Sequence, residues 1–285
     1  MSKLAQVYRA SSNKYFVKIG DELIRCGARG LLKLNNTEIL VGDYVEVEKD
    51  TITCIKERKN RFIRPNVSNV DSIVAVVSPQ PKPDYYLLDK LYINSVKEGV
   101  DFYIVVNKSD IDSDLFNEIV SAYSNLGVKF LQVCAKTGQG IDELKGVLEG
   151  KLSVLAGQSA VGKSSIINKM FGLDLKVGDL SEKIERGRHT TTRSEIFEVE
   201  NIKIIDSPGF AVIDANVDAK EIAEFYPEYV SVSAECKFRG CLHINEPQCK
   251  VKELVNNGVL SKERYERYVE IYKELQNRRI IYEKN

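Results

Sequence analysis

The chain has 285 residues, 43% hydrophobic and 29% charged, a globular balance with room for one large domain or two to three small ones. No stretch approaches the roughly 18 uninterrupted apolar residues of a membrane span, and the first 16 residues lack a secretory apolar core. A cytoplasmic protein without membrane attachment is therefore expected. Basic and acidic residues number 41 each, but the zero sum hides a gradient. Residues 1–65 carry 13 Lys and Arg against 8 Asp and Glu, residues 66–215 carry 16 against 21, and residues 216–285 balance at 12 each. This points a polyanionic partner towards the N-terminal part, unless it is an ordinary solvated surface.

In chain order, residues 1–65 read as all-β. Short alternating runs such as AQVYRA, KYFVKIG, ELIRCG, DYVEVEK and TITCIKE are separated by turn residues. About five strands in this length predict a small closed barrel, most commonly an OB-fold. The exit KERKNRFIRP holds five basic residues between Lys56 and Arg64, a charged linker by composition, and Pro65 suggests a boundary. Residues 66–215 alternate apolar strands with helical stretches near 84–97, 112–126, 140–149 and 163–171, which predicts a mostly parallel sheet covered on both faces. Asn107, Ala135, Gly157 and Asp206 each fall just past the end of such a strand, where the ligands of these sheets sit.

Residues 216–285 suggest a short helix near 219–226, a helix opened by Pro247, and a long terminal helix from about 261. There Tyr265, Tyr268, Tyr272 and Leu275 follow a three-four spacing, a packing stripe or a surface for RNA.

The motif Gly157-Gln158-Ser159-Ala160-Val161-Gly162-Lys163-Ser164, continued by Ser165, matches GxxxxGK[ST] between a strand and a helix. Its glycines let backbone N–H groups face a phosphate at a helix N-terminus. Lys163 is expected on the β- and γ-phosphates and Ser164 on Mg²⁺. Asp206-Ser207-Pro208-Gly209 ends a later strand; Asp206 suits a water-mediated Mg²⁺ contact, and the Gly209 amide suits the γ-phosphate.

Asn107-Lys108-Ser109-Asp110 provides a carboxylate that can accept from guanine N1–H and N2–H₂, whereas adenine would leave Asp110 unpaired. Asn107 can tie this loop to the phosphate loop. Cys134-Ala135-Lys136 then resembles a Ser-Ala-Lys loop, with the Ala135 amide at guanine O6 and Lys136 against the ring. In ERGRHTTTRSE, Thr192 is the expected switch ligand of Mg²⁺, with Thr191 close behind; an RNA-touching loop is the other reading. Phe210 stands where Ras-like enzymes place a glutamine, so slow intrinsic hydrolysis is expected. His189 is the candidate replacement as catalyst, against a surface or RNA-contacting role.

The base loop precedes the phosphate loop, the reverse of an ordinary nucleotide switch. Joining the old termini and reopening the chain elsewhere preserves such a site while changing its connections. Here the chain passes from the DxxG loop straight into the C-terminal unit, which suggests that nucleotide state repositions that unit. Cys236-x₄-Cys241-x-His243-x₅-Cys249 supplies three thiolates and an imidazole, a closed tetrahedral set for one structural Zn²⁺.

A basic OB-like barrel, a permuted GTPase carrying NKSD, GQSAVGKSS, GRHTTT and DSPGF, and a Cys-Cys-His-Cys unit together resemble the small ribosomal subunit biogenesis GTPase RsgA (YjeQ) family, over essentially the whole chain. The resemblance implies domains at 1–65, 66–215 and 216–285, binding of GTP and GDP, and Mg²⁺-dependent hydrolysis that is slow until the 30S subunit stimulates it. It further implies contact with 16S rRNA, late action in subunit maturation, and help in releasing another assembly factor. A monomer is expected. The competing class is a nucleotide-gated RNA-binding module whose hydrolysis is incidental.

Overall fold

The computed structural model describes residues 2–11, 14–30, 38–63, 65–172, 194–206 and 213–283. The N-terminal alternation becomes strands β1 (Lys3–Ser11), β2 (Lys14–Ile19), β3 (Glu22–Ala28), β4 (Tyr44–Glu48) and β5 (Thr51–Ile55). β1 pairs antiparallel with β2 through one half and with β4 through the other, while β3 runs parallel to β5 and β5 antiparallel to β4. The ladder thus closes into a five-stranded OB-like barrel around the buried side chains of Val7, Val17, Val45 and Ile52.

The basic exit segment is largely neutralised within the fold. Lys56 pairs with Glu46, Arg58 with Asp43, Lys59 with Asp71 and Arg61 with Glu38. Asp43 is fully buried and also accepts from the Ser68 hydroxyl at 2.6 Å and the Leu40 N–H at 2.8 Å. Composition suggests an open charged linker; the observed segment is instead pinned to the barrel and to the following sheet. Arg64 lies outside the described residues. A small hairpin of β6 (Arg61–Phe62) and β7 (Val67–Ser68) completes the crossing.

The central sheet contains β8 (Ser72–Val77), β9 (Asp101–Val106), β10 (Lys129–Gln132), β11 (Leu152–Ala156), β12 (Glu195–Val199) and β13 (Ile202–Asp206), in the spatial order β10-β9-β8-β11-β13-β12. All but β12 are parallel to their neighbours in this part. The chain enters at β8 in the middle, runs outwards to β10, then returns to β11 beside β8. That reversal is a topological switch point, where a crevice opens at the carboxyl ends of the strands.

Alternate strand residues feed two cores. Ile73, Ala75 and Ile104 face helices α1 (Tyr85–Glu98) and α2 (Asp114–Tyr123), whereas Val74, Val76 and Val105 face α3 (Ile141–Leu148) and α4 (Lys163–Phe171). Helix α1 starts where the Asp84 carboxylate accepts the Leu87 N–H at 2.9 Å and stops where Gly99 turns left-handed at φ 64°. One rung, Arg9 opposite Glu195, joins the barrel to β12, so barrel and central sheet form a continuous 11-stranded ladder.

The C-terminal part holds the short helix α5 (Pro227–Val230), then α6 (Lys250–Asn256) and α7 (Lys262–Glu283). The expected helix from Pro247 begins instead at Lys250, because Gln248 is left-handed (φ 54°) and Cys249 serves as the cap. The tyrosine stripe packs inwards: Tyr268 is wholly buried, with its ring 4.9 Å from that of Tyr226 and 5.1 Å from that of Tyr229. Among the described residues no helix is long and apolar enough to cross a membrane.

Candidate functional site

The loops at the switch point meet at the Asn107 side chain. Asn107 follows β9 and is 1% exposed. Its Nδ2 donates to the Val161 carbonyl of the phosphate loop at 2.9 Å, and its Oδ1 accepts the Ala135 N–H at 3.1 Å. A single amide therefore joins three loops that lie far apart in sequence. Removing it would leave a half-buried N–H and a buried carbonyl without partners. The two glycines of the phosphate loop are required by close approach. A Cβ at Gly162 (φ 98°) would lie 2.3 Å from Asn107 Nδ2, and one at Gly157 (φ 134°) 2.3 Å from the Val76 carbonyl oxygen.

On the base side, Asp110 is partly exposed beside Cys134, whose thiol donates to Asp110 Oδ1 at 3.3 Å, and Lys136, whose Nζ lies 3.7 Å from the same carboxylate. Ser109 donates its N–H to the Val133 carbonyl, which fixes the loop over β10. The Ala135 amide, expected at guanine O6, is engaged by Asn107. Lys108, in a left-handed conformation (φ 62°), donates from Nζ to the Ala160 carbonyl at 2.8 Å and to the Gln80 carbonyl. It braces the phosphate loop from the base side.

On the phosphate side, Ser159 and Ala160 are exposed at the loop tip, and Ser164 and Ser165 are partly exposed in the first turn of α4. Lys163 folds its ammonium onto the Gly157 and Gln158 carbonyls at 2.7 and 2.6 Å. Burial lowers its pKa, opposed by the charge of Asp206. Asp206 ends β13, and burial raises its carboxyl despite nearby Lys163, with Glu195 adding to the rise. A partly desolvated carboxylate facing one ammonium beside a helix N-terminus is a fitting environment for a hydrated cation and a polyphosphate. Thr192, His189 and Gly209, with Thr191 and Phe210, lie outside the described residues.

The second cluster is Cys236, Cys241, His243 and Cys249, whose ligand atoms all lie within 4.8 Å of one another. His243 Nδ1 sits 3.3 Å from Cys249 Sγ and 3.7 Å from Cys236 Sγ. Burial lowers the imidazole pKa, which favours the neutral ligating form, and pushes the Cys241 thiol up to about 12. Three sulfurs and one imidazole nitrogen within reach of a single ion are a donor set suited to Zn²⁺.

Family profiles match most of this chain: the RsgA N-terminal domain over residues 5–53 and the RsgA GTPase over residues 55–216. A profile described as 50S ribosome-binding GTPase also matches residues 153–280. Proteins named small ribosomal subunit biogenesis GTPase RsgA are similar along nearly the whole length. That of Agathobacter rectalis is 41% identical over 91% of this chain and 90% of its own, and that of Thermotoga maritima 39% over 90% and 91%. The chain belongs to the RsgA family. Two solved structures share its fold: YjeQ from Thermotoga maritima (TM-score 0.79, 34% identity, 97% of this chain and 99% of that one) and YloQ, described as a circularly permuted GTPase (TM-score 0.75, 30% identity, 98% and 96%).

This RsgA-family chain also carries site residues that its motifs did not disclose. The Gln158 side chain accepts the Asp84 N–H at Oε1 at 3.1 Å, which ties the phosphate loop to the start of α1 and leaves the Gln158 backbone to the loop. The signal available was Asp84 itself, a capping residue three positions before the apolar helix run. Around the thiol cluster, Glu246 accepts the N–H groups of Leu242, Ile244 and Asn245, and the Tyr265 and Tyr268 hydroxyls donate to the carbonyls of His243 and Leu242. These bonds hold the His243 loop in its left-handed turn (φ 58°) and orient the imidazole.

Proposed function

We propose that this circularly permuted GTPase hydrolyses GTP to GDP and phosphate in the late maturation of the small ribosomal subunit. It acts as three units, 1–65, 66–215 and 216–285, and binds the 30S subunit through 16S rRNA. Hydrolysis is slow alone and faster on the subunit, and it aids release of another assembly factor. The observation that carries the nucleotide reading is the Asn107 amide, which binds the Ala135 and phosphate loops together into one site.

In that site Asp110 accepts from the guanine edge, and Lys136 covers the ring. Phosphate-loop N–H groups and Lys163 hold the β- and γ-phosphates. Ser164, Thr192 and Asp206 would hold Mg²⁺, which supplies charge neutralisation between the phosphates when bound. Gly209 meets the γ-phosphate, and His189 orients or deprotonates the attacking water in place of the missing glutamine. Cys236, Cys241, His243 and Cys249 would hold a structural Zn²⁺, which supplies folding energy and no reaction step. With net charge zero and no spanning helix among the described residues, a cytoplasmic monomer fits this role.

The test is GTPase kinetics of wild type and His189→Ala, with and without purified small subunits. Expected are turnover raised by small but not large subunits, and loss of that rise in the variant. Unchanged turnover with tight RNA binding would instead support the nucleotide-gated module.

A further inference from the structure

The barrel meets the central sheet at an unusual place. Arg9 of β1 is the register partner of Glu195 on β12, and Glu195 is the register partner of Asp206 on β13. Directly opposed residues of antiparallel strands project from the same face. Arg9, Glu195 and Asp206 therefore form one row across three strands, and the Arg9 guanidinium pairs with Glu195. Glu195 and Asp206 are like charges placed side by side, an arrangement that costs stability unless another charge offsets it. Arg9 meets Glu195 from the barrel, and the charge of Lys163 in the phosphate loop acts on Asp206, so each carboxylate has its own cation.

Neighbouring contacts hold this edge in place. The Tyr8 hydroxyl and Lys18 both donate to Glu198 of β12, and Lys203 of β13 donates to Gln6 of β1 at 2.9 Å.

We infer that Arg9 is a positioning residue for the nucleotide site, a barrel side chain that screens Glu195 and so sets the preference for nucleoside triphosphate over diphosphate. The inference rests on the reading above, in which Asp206 lies at the terminal-phosphate end. Without the guanidinium, Glu195 presents one uncompensated negative charge beside that end. The triphosphate brings more negative charge there than the diphosphate and loses more affinity. Unit charges about 10 Å apart in a mostly aqueous surrounding give an effect of about twofold at low salt.

The experiment measures affinities of the full-length protein for a non-hydrolysable GTP analogue and for GDP, by competition against a fluorescent GDP at fixed Mg²⁺. At low salt Arg9→Ala lowers the GTP-analogue to GDP affinity ratio about twofold, and the drop shrinks as salt is added. Arg9→Lys keeps the ratio. Glu195→Gln alone raises it, and the double variant Arg9→Ala/Glu195→Gln returns it to the wild-type value.

If Arg9 only glued the barrel to β12, the double variant would be no better than Arg9→Ala, and that result overturns the inference. So does an unchanged ratio in Arg9→Ala and Glu195→Gln. Lys163→Ala serves as the separate control. Loss of both nucleotides in that variant upholds the site, so that a failure of the Arg9 series then counts against the screening role alone; retention of both sinks the site reading along with it.

Discussion

The central sheet is flanked by two attachments built from the same kinds of groups in opposite surroundings. Across the β1–β12 seam the ion pairs are partly wet: the Arg9 and Glu195 side chains are 49% and 28% exposed, and those of Lys18 and Glu198 are 26% and 18%. On the C-terminal side Asp89 of α1 is fully buried and accepts from Arg264, from Arg267 at 2.6 Å and from the Tyr123 hydroxyl at 2.8 Å. Arg264 also pairs with Glu228 at 2.6 Å and lies against the rings of Tyr123 and Tyr226. Two carboxylates and two guanidiniums cancel within a dry space. Wet pairs contribute little each and can be exchanged for water, whereas a member lost from a dry cluster strands the others. The C-terminal unit is thus welded to α1, and the β1–β12 seam of the barrel is held by contacts that can slip.

The largest test of this contrast strips the thiol cluster. A strong zinc chelator should unfold the C-terminal unit, since metal binding in small zinc units supplies on the order of 10 kcal/mol of folding energy. The expected readout is loss of helical circular dichroism and of hydrogen-exchange protection in α6 and α7, with barrel amides still protected. Equal loss of protection in the barrel would erase the distinction between the two attachments.

Next in size is Asp89→Ala, which leaves Arg264 and Arg267 facing each other in the interior. A cost of about 3–5 kcal/mol is expected, read as a lower urea midpoint. A cost under about 1 kcal/mol would mean that water reaches the cluster.

The motifs proposed for the site were legible in the sequence and the welds were not, for a physical reason. A phosphate loop, the Asn107-Lys108-Ser109-Asp110 motif and four metal-spaced ligands are local patterns, because the chemistry demands particular residue types at short spacings. The barrel was legible from alternation and turn residues. Asp89 and Arg264 are separated by 175 positions, and on its own each looks like a solvated charge on a polar helix face. The exit segment misled for the same reason: Arg58 and Asp43 lie 15 residues apart, and nothing local marks them as partners. Gln158 adds a distant partner within a motif, since its side chain braces α1 through Asp84, 74 positions away.

A third prediction sits inside the site. Asp110→Asn should move base preference from guanine towards xanthine by well over tenfold, because the amide nitrogen meets the guanine N2 amino group donor to donor, whereas xanthine offers an accepting carbonyl oxygen there. Competition by GTP and XTP for bound fluorescent nucleotide measures it. Unchanged preference would detach the base loop from the phosphate loop and undo the role given to Asn107.

The smallest expected effect lies at the barrel attachment. Burial works to raise the Glu198 carboxyl, but hydrogen bonds from Lys18 and Tyr8 and the charge of Lys203 outweigh it and hold it below the ordinary carboxylate range. A carboxyl depressed in the folded state stabilises fully above its unfolded value, near 4.3 for Glu as an approximate reference. That contribution is lost as pH falls through the lower folded value. Glu198→Gln should therefore cost up to about 1 kcal/mol at neutral pH, and the gap from wild type should close in acid as the native carboxyl takes up its proton. Thermal unfolding of both proteins from pH 7 down to the acid limit of folding checks the sign. A gap that stays constant with pH would assign the contact to shape alone, and a gap as large as that of Asp89→Ala would make the barrel attachment a weld like the other.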